Sequence, residues 1–288
     1  MPSELPLDHR SISWRVSAEP SAMLGGGRAL LLQVAHPAVA AGVRDHSSYE
    51  SDPWARLFRT FDMMLKLSFG SLEASRRQAE LFERMHRRVT GTTEAGEAYR
   101  ALDPTLLLWV WATLCDSALL TYERVLRVLD DDERERYYDE WKLVARACGV
   151  PAGDCPDRWA DFQAYVAAVI EHDLVVTATG RRVAHVAMLP PIPPPLRRPA
   201  AWMNELVTTG LLPASVREQY GLAWDPRRQR RLDLLLRAVG GGLRVTPGPV
   251  RRAGSEYLVR RDGPLDLKRL RGYGARATGR RMATYQPT

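Results

Sequence analysis

Lysine is almost missing from this chain: three lysines stand against 38 arginines. That imbalance points to a GC-rich bacterial genome and says nothing about activity. Cysteine is scarce as well. Cys115, Cys148 and Cys155 form neither an even disulfide framework nor a CxxC pair with zinc-ligand spacing. Reduced thiols in a cytoplasmic protein are the expectation. There is no long apolar run either. The most apolar stretch, PTLLLWVWATLC, covers twelve residues before Asp116, whereas spanning a bilayer takes about twenty. The first residues, MPSELPLDHRSISWRVSAEP, lack the apolar core of a signal peptide. No stable membrane insertion is expected. GxSxG, HExxH and the dinucleotide and Walker glycine patterns are absent, as are alternating strand runs and long-period repeats.

The 288 residues are 45% hydrophobic and 26% charged, a globular balance in a chain long enough to enclose a ligand pocket. The net charge of +7 is uneven. Residues 225–288 carry 16 basic and 5 acidic side chains, and the remainder carries 25 and 29. These C-terminal arginines are not interleaved with aromatics and match no nucleic-acid motif, so a solvated tail is expected rather than a nucleic-acid partner. Three segments follow: an N-terminal extension over 1–20, a helical domain over 21–245 and a basic extension over 246–288 that wraps the surface or frays.

Helical periodicity dominates what is present, and the predicted class is all-α. RRQAELFERMHRRVTG sets Leu81, Phe82, Met85 and Val89 on one stripe with arginines opposite and Gly91 as a stop. Asp103 and Pro104 are an N-cap and first helical residue for DPTLLLWVWATLCDSALLTYERVLRVL, whose first half is apolar nearly all round and so suits a central helix. DDERERYYDEWKLVARACG and PDRWADFQAYVAAVIEHDLV read as amphipathic surface helices, the first ending at Gly149. LPPIPPPLRRPA, 189–200, is an extended connection.

Chemistry-bearing residues gather in QVAHPAVAAGVRDHSSYESDPWARLFRT, where His36 and His46 precede Arg56, Arg59 and Thr60. Taken singly, His36 and His46 read as helix-boundary or capping residues, His86 as a packed core residue, and Asp52 as an N-cap before Pro53. His172 beside Glu171 and Asp173 is locally paired or solvated, and His185 has no assigned role. GGGR at 25–28 opens a helix and could cradle phosphate, but it lacks the motif spacing. Taken together the residues say more. A neutral imidazole on an apolar helix suits haem iron, and haem propionates call for arginine. Arg56 and Thr60, one turn apart, share a helix face.

The runs RALLLQVAHPAVAAGVRDHSSYESDPWARLFRT, MHRRVTG, YRALDPTLLLWVWATLCDSALLTYE and GLLPASVREQYGL resemble the MpaB-type oxygenases, the family that includes the latex-clearing, rubber-cleaving proteins. The resemblance covers roughly residues 20–245. It implies a globin-like helical core holding haem b in a buried pocket, and cleavage of a carbon–carbon double bond with dioxygen. The family's Arg-x-x-x-Thr signature falls on Arg56 and Thr60, its proximal histidine on His86, and a distal basic residue on Arg59. Because an arginine stays protonated, Arg59 is implied as a hydrogen-bond donor rather than an iron ligand. His36 and His46 are implied to line the pocket or meet a propionate. Trp111 stands where short relatives often carry histidine (WVHATL), which removes a polar pocket residue. The expected protein is thus a haem-dependent oxygenase acting on a small apolar substrate, with an unidentified electron donor. Two rivals stand beside it. His36, His46 and His86 could bind a non-haem metal with Asp45 or Asp52, or the protein could hold haem or an apolar ligand without chemistry.

Overall fold

The computed structural model describes residues 5–46, 53–188 and 196–261, with backbone alone at 53–55. Asp52, most of the proline-rich connection and the last 27 residues of the chain lie outside the described residues. The described part is helical, as the periodicity predicts.

The organising element is α7 (Pro104–Val125). Asp103 caps it by accepting from the Thr105 amide, and Pro104 fills the first turn, as expected. Leu108, Trp109, Trp111, Ala112, Cys115 and Leu119 are all buried, although they point in several directions around the helix. Such a helix needs neighbours on every side. The N-terminal segment supplies three of them: α1 (Ile12–Ser17), α2 (Ser21–Leu24) and α3 (Gly26–Ala35). α8 (Asp131–Ala147) and α9 (Trp159–His172) close another flank. α8 starts with a capping box between Asp130 and Glu133, and Gly149 beyond its end takes φ +89°. α4 (Pro37–His46) and α10 (Ala178–Ala187) pack on α3, together with α11 (Arg197–Leu211). α12 (Ala214–Tyr220) meets α9, and α13 (Pro226–Val245) lies against α7 and α11.

The glycines of GGGR serve packing rather than phosphate. A Cβ on Gly25 would lie 2.7 Å from the Ser117 carbonyl oxygen, and one on Gly27 would lie 2.2 Å from the Thr208 hydroxyl. Their absence lets α3 approach α7 and α11 closely. The arginine that follows completes the junction. Arg28 is 5% exposed and Asp116 is 9% exposed. Arg28 Nη2 pairs with Asp116 Oδ2 at 2.7 Å, Nη1 donates to Ser117 Oγ and Nε donates to the Leu211 carbonyl. Gln163 of α9 donates to the other carboxylate oxygen.

α5 (Pro53–Phe69) and α6 (Leu72–His86) form an antiparallel pair, and Ser71 caps α6. Here the structure corrects the expected stripe. Phe82 is buried, but Leu81 is 38% exposed and Met85 52% exposed. A helix at the edge of the bundle covers only a narrow face, so half of its apolar row stays in solvent. The helix also stops at His86 rather than at Gly91. Gly91 lies in a hairpin of β1 (Thr90–Thr92) and β2 (Ala98–Arg100), with Thr90 opposite Arg100. Three-residue strands are too short to show alternation.

The basic segment past Thr246 does not fray at its start. Residues 248–260 form α14 (Gly248–Arg260), which packs along α5. Glu19, 1% exposed, receives Arg251 at 2.8 Å and Arg252 at 3.1 Å, and Ser255 donates to the Ala18 carbonyl.

Removing one partner of a shielded ion pair strands the other charge. Arg28→Met or Asp116→Leu alone should lower unfolding free energy by about 3–5 kcal/mol, whereas the double variant should lose far less. Urea denaturation of the three variants reads this directly. Single variants within ~1 kcal/mol of the parent would show that the pair is not the clamp described here.

Candidate functional site

α5 and α6 bring Arg56 and His86 together. His86 ends α6, half-buried, with its ring stacked on Phe82 at 4.0 Å and 26°. Its Nδ1 lies 2.8 Å from the Phe82 carbonyl oxygen one turn back. A carbonyl can only accept, so Nδ1 carries the proton and Nε2 keeps its lone pair. Burial, with a smaller push from the Arg56 charge, holds the imidazolium pKa below its ordinary value despite the opposing Phe82 bond. The ring is therefore neutral at pH 7. A metal-ligating histidine needs that same state, with its second nitrogen tied to a carbonyl and the first unprotonated.

Arg56 is the other half of the arrangement. Its guanidinium pKa is lowered by burial and by neighbouring Arg59, yet an arginine remains charged. Nη1 is shielded from solvent and has no hydrogen-bond partner among the described residues. A shielded guanidinium N–H without an acceptor is costly, so among the described residues this position has room for an acceptor. Thr60, one turn on, is half-buried and lines a cavity of about 90 Å³. Leu57, Phe61, Met64 and Leu114 form much of the wall, and no ionisable side chain among the described residues lines it. Arg59 is exposed. A wider cleft of about 430 Å³ lies between α6 and the end of α8, with Arg76, Glu80, Glu83 and Arg146 at its rim. Neither cavity is lined by His86.

The family model described as "ER-bound oxygenase mpaB/B'/Rubber oxygenase, catalytic domain" matches residues 14–241. The chain belongs to this oxygenase family. It is also 28% identical over 225 residues to uncharacterized proteins of Mycobacterium bovis and Mycobacterium tuberculosis, which covers 76% of this chain and 87% of theirs. No solved structure matches. Within the oxygenase-family domain, α7 is the described helix long and apolar enough to cross a membrane, and 72% of its apolar window is buried inside the protein.

The remaining candidate residues sit elsewhere. His36 links α3 to α4 in the extended conformation a pre-proline residue prefers (ψ 123°), and its Nδ1 accepts from the Ala38 amide at 3.3 Å. Its proton therefore lies on Nε2, the opposite tautomer from His86. Burial lowers its pKa against the raising effect of Asp173, Asp103 and Glu97. His46 is exposed, with Nε2 3.0 Å from the Thr90 carbonyl oxygen. Asp45 is engaged by Arg44 at 2.6 Å and by the Tyr99 hydroxyl. Among the described residues no cluster of three His, Cys, Asp or Glu side chains could hold a metal ion. The non-haem trio is thus not assembled. His172 faces Glu171 at 3.9 Å on an exposed surface, as its sequence neighbours suggest, and His185 is exposed on α10.

Trp111 belongs to an aromatic cluster with Tyr138, Trp141 and Phe162, where its Nε1 donates to the Trp141 carbonyl at 3.1 Å. It joins α7 to α8 and α9 and lines neither cavity. All three cysteines are buried and unpaired, and burial raises each thiol pKa, that of Cys148 to about 12. Sequence reasoning missed Ser17 and Trp141, both of which line the apolar cavity. Both are buried, Ser17 on α1 and Trp141 on α8, and nothing in the local sequence brings the two together.

An unfolded chain takes up imidazole protons near pH 6.5, whereas folded His36 and His86 resist them until lower pH. The stability carried by these neutral rings is complete above about pH 6.5 and is lost as pH falls through that value to the lower folded pKa. His86→Gln should shrink the drop in urea midpoint between pH 7.5 and 5.0 relative to the parent. An unchanged drop would place His86 in solvent.

Proposed function

We propose that this member of the oxygenase family is a haem b-dependent enzyme that uses dioxygen to cleave a carbon–carbon double bond in a small apolar molecule. It is placed in the bacterial cytoplasm, in line with its arginine-rich composition and mycobacterial relatives. The observation that carries the reading is the combination of His86, neutral with Nε2 open, and Arg56, whose shielded Nη1 has no hydrogen-bond partner among the described residues. These are a ligand for iron and a cation for a propionate. The donor set fits haem.

The space beside it is tighter. A cavity of about 90 Å³ is small against the ~300–1,000 Å³ of a ligand site. A haem seated there would need more room than this cavity provides.

In this reading Nε2 of His86 would hold the iron, and the Phe82 carbonyl fixes the ring's orientation. Arg56 neutralises a propionate. Thr60 is part of the wall of the apolar cavity, and Arg59, exposed on the same helix, would serve as a hydrogen-bond donor. Bound haem would supply dioxygen activation. The overall change, one alkene and one dioxygen to two carbonyls, balances without further reductant. The cavity walls keep water from the double bond. His36 and His46 hold the two ends of α4, through the Ala38 amide and the Thr90 carbonyl, and take no part in this reading.

A second reading draws on the absence, among the described residues, of any ionisable side chain from the cavity wall. A protein that stores or senses haem or an apolar ligand needs no acid or base there.

Purified or haem-reconstituted protein should show a Soret band that His86→Ala abolishes. Arg56→Ala should weaken haem binding by about ten- to a hundredfold, the value of a charge-assisted hydrogen bond. Protein with no Soret band but one equivalent of iron, or a band indifferent to His86→Ala, defeats the haem assignment. A normal band without oxygen uptake on any alkene favours the binder.

A further inference from the structure

The apolar cavity has a polar feature that a hydrocarbon ligand does not use. Two of its wall residues, Ser17 of α1 and Trp141 of α8, each carry a buried polar atom without a hydrogen-bond partner among the described residues: Ser17 Oγ and Trp141 Nε1. Both residues are almost fully covered, at 8% and 7% exposure. Leaving such a group unmatched costs roughly 1–3 kcal/mol, and an apolar wall gives neither group an alternative. An indole N–H can only donate, so the missing partner is an acceptor. With no cationic or anionic side chain among the described residues lining the cavity, the acceptor is uncharged, because a carboxylate would enter without a counter-ion.

We propose that this cavity binds an apolar chain ending in one neutral oxygen acceptor, such as a ketone, aldehyde or ester carbonyl, held by Trp141 Nε1–H and the Ser17 hydroxyl. A volume of about 90 Å³ is room for roughly six to nine water-sized groups at the 10–15 Å³ each requires. That is a short chain rather than a fused ring system. The proposal rests on the oxygenase reading only for the fate of the ligand. In that reading it names the substrate class, since tethering the oxygen end in a cavity lined by Thr60 sets which carbons run along α5.

The test uses the indole region of a ¹H–¹⁵N spectrum of the full chain. Eight tryptophans give eight resonances, and Trp141→Phe identifies the one that matters. Titration with 2-octanone should move the Trp141 indole resonance saturably. n-Octane and octanoate should bind at least about tenfold more weakly, and Ser17→Ala should weaken the ketone by ~2–10-fold, the worth of one neutral hydrogen bond. A Trp141 resonance that ignores the ketone overturns the proposal. So does equal binding of octane or octanoate, or a persistent Nε1–H contact with water alone in the presence of ketone. The parent protein suffices for each of these outcomes, should a variant fail to fold. Ketone binding in a protein without a Soret band removes the oxygenase reading and leaves this site. A Soret band without ketone binding does the reverse.

Discussion

Arg28 has five N–H donors and Asp116 two acceptor oxygens, and both are taken out of water where four helices meet. Neither side chain survives there alone. The guanidinium is satisfied by Asp116, Ser117 and the Leu211 carbonyl, which come from two other helices, and Gln163 reaches in from a third. The demand for all these partners at once fixes the axial position of α3 against α7, α9 and α11. The small residues just before Arg28 make the approach sterically feasible. Because α3 also lines the apolar cavity through Gly26 and Ala29, the same clamp sets one wall of the site.

The electrostatics of the site have a common cause. Arg56, His86 and His36 are all shifted chiefly by loss of water, and neighbouring charges matter less. Desolvation keeps His86 neutral, and Arg56 Nη1 has no acceptor among the described residues. The two histidines differ in tautomer because one meets a carbonyl and the other an amide. Equal composition thus yields unequal chemistry, decided by one backbone atom in each case.

Much of the fold could be read before any coordinates. Asp103–Pro104 announced the central helix, and the all-round apolarity of its first half announced burial. Arg56 and His86 were singled out by residue type and family resemblance, and their side chains prove to be electrostatic neighbours. What local sequence could not convey was tertiary. Leu81 and Met85 obey the helical period, yet face solvent because no described element lies over them. Gly25 and Gly27 look like a flexible loop in one dimension and act as a close-packed junction in three. Ser17 and Trp141 are 124 positions apart, and only the packing of α1 and α8 against α7 brings both to one cavity.

Glu19 adds a constraint in time. Its carboxylate is enclosed near the beginning of the chain, and its cationic partners lie 232 and 233 positions downstream, beyond the family-matched region that ends at 241. A ribosome delivers the acid long before the bases that neutralise it. The Glu19 carboxylate therefore gains these partners only after residues 251 and 252 have been made. α14 acts as a latch on the junction of α1 and α2, and a nascent chain that stalls before residue 251 leaves the Glu19 carboxylate without these partners.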